Sequence, residues 1–470
     1  MPLWNRLLWA VFVLCALAFR LAIVASWHAP AGDGHQYYHL SQELVSDGRF
    51  AYGPSHVGLA WSRLPGYPLF LAFIAVRKAH LPLEAHLVRA TQSNALLDVS
   101  SALLVVALLR RRAARPLTLG LASILVIICP PLIFLSCYGL TESFATFLFV
   151  LELQLGVCIL DDKRPALYAC LAGVVAGVGQ LTRVDAVTAA PGVLVAIFYC
   201  PLAWKRRFAL LGLFVLASTV VFAPWPLRNI RRFGAPHFEG TEWLSQAGEP
   251  LRSGLMKWMR SWSGGEPGGA YTLFRIANGA SIDPENRGVL LPQMYDDEAE
   301  RAQLAEIFHR YDREGLSAKV DGEFIALADE RARKHPWRQN VVLPAKRLVA
   351  LWTPLPEYEL PMRSGFLSLP RLRTDYDYVL KLMLLAALVG AFTLWRRDRA
   401  LAIILLLPIV FRSVLHSCFA HPCPTQRYVV ELMPSLMMLA AECLAALAFW
   451  LAALRSQSLL RQEDCSIENI

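Results

Sequence analysis

Residues 110–164 read RRRAARPLTLGLASILVIICPPLIFLSCYGLTESFATFLFVLELQLGVCILDDKR. Two apolar runs, Leu117–Ser136 and Ser143–Leu160, are separated by Cys137 to Glu142, a turn without Lys or Arg. In hydrocarbon every backbone N–H and C=O must be paired within the segment, so apolar runs of about 18 residues or more read as membrane-crossing helices. Both flanks are basic, with Arg110, Arg111, Arg112 and Arg115 before and Lys163 and Arg164 after. Lys and Arg stay on the cytoplasmic side. The stretch therefore reads as a membrane hairpin whose turn faces away from the cytoplasm.

The same logic extends along the chain and predicts ten spans. They are Leu7–Ser26, His86–Leu109, Leu117–Ser136, Ser143–Leu160, Ala166–Leu181, Ala186–Cys200, Phe208–Ala223, Tyr378–Trp395, Ala400–Cys418 and Val429–Leu454. The fifth and sixth are short, split by Thr182-Arg183-Val184-Asp185, which leaves open a re-entrant pair. Arg6, Lys205, Arg206, Arg207, Arg396, Arg397, Arg399, Arg455 and Arg461 all fall on the side of the first basic loops. Both termini are thus expected in the cytoplasm, and Met1 to Ser26 reads as a retained signal anchor. The fold class is an all-α polytopic membrane protein. A chain of 470 residues that is 56% hydrophobic is too apolar for an ordinary soluble enzyme, and its net charge of +9 sits largely in these loops. No nucleic-acid partner is implied. The ten cysteines show no metal-ligand spacing, and Cys418 and Cys423 read as two thiols rather than a disulfide. No metal or cofactor is called for.

Four regions follow: an N-terminal transmembrane catalytic module 1–224, an extracytoplasmic domain 225–377, C-terminal transmembrane helices 378–454 and a cytoplasmic tail 455–470. The module includes a first outer loop, 27–85, in which Pro68–Val76 is apolar but too short to cross and reads as an interfacial helix. From Arg228 to Asp377 there are 21 Lys or Arg and 21 Asp or Glu, the balanced mixture of a solvated, mainly helical domain. Leu304–Tyr311 and Gly322–Lys334 have the rhythm of surface helices, and Gly264–Gly269 reads as a glycine-rich turn or mobile loop. Trp243, Trp258 and Trp262 read as an interfacial belt rather than a sugar platform.

Ionisable side chains are costly in a membrane, so their position is informative. Asp33, Arg63, Glu142, Arg183, Asp185, Arg228 and Arg427 all fall at the outer ends of spans. Two signs of charge delivered to one depth suit a substrate with an anionic head and a greasy tail. Arginines clamp a phosphate through charge-assisted forks, and a carboxylate serves as base or orients a reacting group. Blander roles compete. Asp33 lies between Gly32 and Gly34 as a turn residue would, Glu142 suits a helix N-terminus, and Arg228, Arg231 and Arg232 suit a solvated edge. Asp98, beside Asn94 in the second span, reads as a satisfied interhelical group. His35, His39 and His56 form no metal spacing.

Phe19-Arg20, Asp33 with Tyr37 four residues on, and Arg63-Leu64-Pro65-Gly66-Tyr67-Pro68-Leu69-Phe70 resemble the opening of the GT-C glycosyltransferases of family 39. This is the dolichyl-phosphate-mannose–protein mannosyltransferase type, with bacterial relatives such as the aminoarabinose lipid A transferases. Tyr138-Gly139-Leu140-Thr141-Glu142, Leu181-Thr182-Arg183-Val184-Asp185, Pro224-Trp225-Pro226-Leu227-Arg228-Asn229 and Arg427-Tyr428 follow in family-like order. The resemblance implies a polyprenyl-phosphate sugar donor, inverting hexosyl or pentosyl transfer, and a lipid, glycan or protein acceptor on the extracytoplasmic face of a bacterial inner membrane. Asp33 and Glu142 would be catalytic. Arg63, Tyr67, Arg183, Arg228 and Arg427 would hold the donor phosphate and lipid, while His35, Tyr37 and Asp185 would line the sugar or acceptor pocket. Gly34 stands where members acting on protein hydroxyls often have a second acidic residue, and no β-trefoil is appended. Both departures favour a glycan or lipid acceptor. The rival readings are a transporter or flippase of lipid-linked sugars, whose sites lie near the midplane between related halves, and a non-catalytic scaffold.

Overall fold

Apolar length and proline placement decide the elements. A computed structural model describes residues 3–27, 32–50, 63–74, 81–112, 114–161, 163–233, 253–265, 292–315, 317–354, 369–420 and 422–467. Helices α1 (Leu3–Trp27), α2 (Gly32–Ser46), α3 (Gly66–Ile74), α4 (Leu83–Arg111), α5 (Pro116–Ile127) and α6 (Pro130–Ser136) come first. They are followed by α7 (Glu142–Asp161), α8 (Pro165–Thr182), α9 (Ala190–Tyr199), α10 (Trp204–Phe222) and α11 (Pro224–Phe233). Among the described residues eight helices are long and apolar enough to cross a membrane, and α5 with α6 forms a further, broken span. These accord with a multi-pass membrane protein, and Val184–Tyr199, at the place of the sixth expected span, is apolar but shorter.

Two of the expected spans differ in form. The third bends by 43° between α5 and α6. Pro130 and Pro131 lack the N–H that would continue the helix, and Cys129 before them is extended at ψ 114. The sixth opens with a 3-10 turn, Val184–Ala189, before α9. At the rises of the two helix types this segment spans roughly 27 Å, close to the ~30 Å of hydrocarbon.

Close packing rests on glycine. A Cβ on Gly173 would lie 2.3 Å from Phe214 O, and one on Gly177 2.8 Å from Ser218 O, so α8 and α10 meet through a small-xxx-small face. The interfacial candidate is α3, which buries Tyr67 and Leu71 while exposing Leu69 and Phe73. Of Pro68–Val76, the last two residues lie outside the described residues.

The region expected as an extracytoplasmic domain contains α12 (Ser253–Arg260), α13 (Glu298–Glu314), α14 (Ala318–Lys334) and α15 (Leu343–Leu351). Both expected surface helices are present, and no strand occurs among the described residues. The tryptophan belt does not hold for Trp258 and Trp262. Trp258 is buried against Phe308 and Phe324, and Trp262 beside Trp258, because the apolar faces of α13 and α14 need a partner and the α12 segment supplies it. Trp243 lies outside the described residues, as do His56 and residues 266–269 of the glycine-rich loop. The Asp321 carboxylate accepts the Gly254 and Leu255 N–H groups and so caps α12. Cys418 and Cys423 are free thiols, as expected, although Cys418 is exposed.

The C-terminal helices α16 (Leu369–Arg397), α17 (Arg399–Val414) and α18 (Met433–Ile467) complete the bundle. At the basic end, Arg112 pairs with Asp398 at 2.7 Å and with Asp161, and Arg397 pairs with Glu442 at 2.8 Å. The opposite end holds a second, larger set of charges.

Candidate active site

Among the described residues, several segments bring charged side chains to that opposite end. Asp33 lies in the first turn of α2, where the helix N-terminus favours an anion. Arg63 precedes α3, Glu142 starts α7, and Arg183 and Asp185 join α8 to the 3-10 turn. Close approach makes this assembly possible at Gly66. A Cβ there would fall 2.6 Å from Thr182 Oγ1 and 2.7 Å from Leu181 C, so the Arg63 loop can lie against the end of α8 only with glycine. Gly66→Ala is therefore expected to destabilise the protein by about 1–3 kcal/mol. Thermal denaturation in detergent tests this, and a wild-type melting temperature would remove the packing argument.

The carboxylates are joined by guanidinium groups. Arg63 Nη2 lies 2.5 Å from Asp33 Oδ1, and Arg63 Nε donates to Gln36 Oε1 at 2.6 Å. Arg427 Nη2 donates to Asp33 Oδ2 at 3.1 Å, while its Nε contacts Glu142 Oε1. Glu142 Oε1 also meets Arg183 Nη1 at 3.3 Å. Arg183 Nε faces Asp185 at 3.1 Å and Glu431 at 3.0 Å. Arg412 then bridges Asp185 at 2.7 Å and Glu431 at 3.0 Å, and His416 Nε2 sits 3.1 Å from Asp185 Oδ2. Four arginines thus face four carboxylates in one connected cluster.

Exposure grades along it. The side chains of Glu142, Glu431 and Arg412 are 1% exposed, whereas Asp33 is 28% and Arg427 24% exposed. The cluster opens at Asp33 and closes toward Arg412. Burial alone would raise the Asp33 pKa, but the charges and hydrogen bonds of Arg63 and Arg427 prevail and hold it at about 2. Because that lies below the ordinary aspartate value of 3.8, these pairs are complete above the ordinary value. They are lost only as pH falls through about 2. While so paired, Asp33 is a weak base.

The remaining expected residues fall at different distances from this chain. Tyr37 is buried, with the Arg63 guanidinium 5.6 Å from its ring centroid, and burial raises its phenol pKa. Tyr67 is fully buried edge-on to Tyr37, its hydroxyl toward Asn94 Oδ1 at 3.5 Å. Asn94 also donates to Tyr138 O at 2.9 Å, fastening the turn that leads to Glu142. Arg228 donates to Phe50 O at 3.3 Å and stacks near Phe50 and Trp225. His35 is half-buried on α2, and no described hydrogen bond ties it to the cluster. Asp98 does have an interhelical partner, Arg20 at 3.4 Å.

Sequence reading missed Arg412, His416 and Glu431. The signal was present: all three are ionisable residues inside the last two apolar runs, where such residues are expensive and seldom idle. The backbone from Leu415 to Ala420 widens into a π-helix, a form common at functional sites, and presents His416 there. Among the described residues no group of three or more His, Cys, Asp or Glu is arranged to hold a metal ion. Each carboxylate of the cluster is instead met by guanidinium.

No family model and no curated protein matches the chain. Solved structures do. The oligosaccharyltransferase of Archaeoglobus fulgidus in its apo form matches with a TM-score of 0.52 at 13% identity, over 95% of this chain and 52% of that one. The archaeal oligosaccharyltransferase AglB, also from Archaeoglobus fulgidus, in complex with an inhibitory peptide and a dolichol-phosphate gives 0.51 at 12%, over 96% and 52%. ArnT from Cupriavidus metallidurans bound to undecaprenyl phosphate gives 0.41 at 15%, over 93% and 77%. The chain spans about half the length of the archaeal enzyme. At 12–13% identity the likeness is one of architecture, and the architecture is the GT-C fold.

Proposed function

We propose that this chain is a membrane glycosyltransferase that moves a sugar from a polyprenyl-phosphate donor to a lipid, glycan or protein acceptor, with inversion. The observation that carries this reading is the meeting of Asp33 and Glu142 at Arg427, beside Arg63, at the bundle end away from the basic loops. Two carboxylates and two accessible guanidiniums are what transfer from a sugar phosphate requires: groups to orient the nucleophile and groups to receive the leaving charge. The archaeal enzyme of like fold was solved with a dolichol-phosphate, which agrees with a lipid-phosphate ligand. By the positive-inside rule the site faces the exterior or periplasm, in keeping with family 39 transferases of a bacterial inner membrane.

In this reading the acceptor, oriented by one carboxylate, attacks the anomeric carbon from the face opposite the phosphate. The phosphate sits against Arg63 and Arg427. Arg183, expected from sequence as a phosphate ligand, is better read as part of the frame. Its nitrogens are committed to Glu142, Asp185 and Glu431. Asp185 shares that framing role, and Tyr37 and His35 lie on the helix that carries Asp33. Purified protein in detergent, offered a panel of undecaprenyl-phosphate sugars, is expected to release undecaprenyl phosphate and glycosylate an acceptor extract. A flippase would leave the donor intact even in sealed vesicles, and that result would overturn the reading.

A further inference from the structure

The open end of the site already holds an anion, and it belongs to the protein. Asp33 engages both of the more accessible guanidiniums, at 2.5 Å on Arg63 and 3.1 Å on Arg427. Among the described residues Arg63, Arg183, Arg412 and Arg427 are joined to Asp33, Glu142, Asp185 and Glu431. An incoming phosphate would leave unneutralised negative charge in a partly buried site unless a carboxylate gave way. Asp33 is the one placed to do so. It is 28% exposed, against 1% for Glu142 and Glu431, and it stands in the first turn of a 15-residue helix between two glycines. Glu142 is fixed by Arg183 and Arg427 together and cannot leave without breaking the frame.

We propose that the donor's phosphate displaces Asp33 from Arg63 and Arg427, and that the freed carboxylate then takes the proton of the acceptor. This rests on the glycosyltransferase reading and adds an order to it: donor first, acceptor second. In the resting state the two guanidiniums make Asp33 too weak a base to act. Once the phosphate has taken them, the carboxylate loses its stabilising charges and its basicity rises. The acceptor oxygen then forms the bond to the anomeric carbon as the bond from that carbon to the phosphate oxygen breaks. The electron pair leaves on the phosphate, held by Arg63 and Arg427, and the acceptor's proton passes to Asp33.

The test is the binding of undecaprenyl phosphate to the full-length protein in detergent, measured by native mass spectrometry. Asp33→Asn removes the competing anion at nearly constant shape and is expected to bind the probe about tenfold more tightly, the scale of a partly exposed ion pair. Arg63→Gln is expected to bind it about tenfold more weakly. Asp33→Ser repeats the first measurement should the asparagine variant fail to fold. Unchanged or weaker binding in a folded Asp33 variant overturns displacement while leaving the transferase reading intact. Wild-type protein that does not bind the probe overturns the donor reading, and displacement with it.

Discussion

Asp33→Asn is expected to lower sugar transfer by about 10³-fold or more while the protein remains folded in detergent, a scale set by loss of a positioned base. The variant keeps the size of the side chain and can still accept a hydrogen bond from Arg63, so packing at the start of α2 changes little. What it loses is the ability to take a proton and to answer the charge on Arg427. Single-turnover transfer from a defined undecaprenyl-phosphate sugar reads the loss directly, and size-exclusion chromatography checks the fold. Together with the binding experiment this gives an uncommon signature: tighter lipid phosphate, no product. Wild-type turnover in the variant would sink the catalytic assignment. A parallel loss of binding and turnover would point to a structural role for Asp33.

Arg20→Leu is expected to cost about 3–5 kcal/mol of stability, because it strands a buried charge. Arg20 and Asp98 are 3.4 Å apart with side chains 0% exposed, deep between α1 and α4. Arg20 Nη2 also reaches Val126 O at 3.4 Å on α5, so one side chain ties three helices. Elsewhere on α1, Leu7, Leu8, Val11 and Leu14 face outward, while Ala16 and Val24 are buried. By contrast, the exposed Arg301–Glu298 pair of α13 is worth about 0–1 kcal/mol, since water already solvates both partners. The same physics makes a sharper forecast for the double variant. Arg20→Leu/Asp98→Leu replaces both charges by apolar groups and is expected to recover most of the loss. Thermal melting of the two single variants and the double in detergent closes the cycle. A double variant as unstable as Arg20→Leu alone would mean that the arginine acts by packing.

The alternation of apolar runs with Lys- and Arg-rich loops was legible from the chain because both signals are local. A run of about 18 apolar residues has to close its own hydrogen bonds wherever it sits. The same holds for the outer helices around Leu304 and Phe324, whose spacing announced an apolar face without saying what would cover it. Asp33, Arg63, Glu142, Arg183, Asp185 and Arg427 were nameable for a related reason: a charge beside an apolar run is conspicuous. Which charge meets which was not legible. Asp33 and Arg427 are separated by 394 positions, and nothing in either neighbourhood specifies the other. Only the packed bundle showed that Arg183 is spent on three carboxylates, that Tyr67 turns inward to Asn94, and that Arg412, His416 and Glu431 complete the cluster. Span formation is settled by each segment's own solvation, whereas ion pairing is settled by proximity across helices, and proximity exists only once the helices have packed.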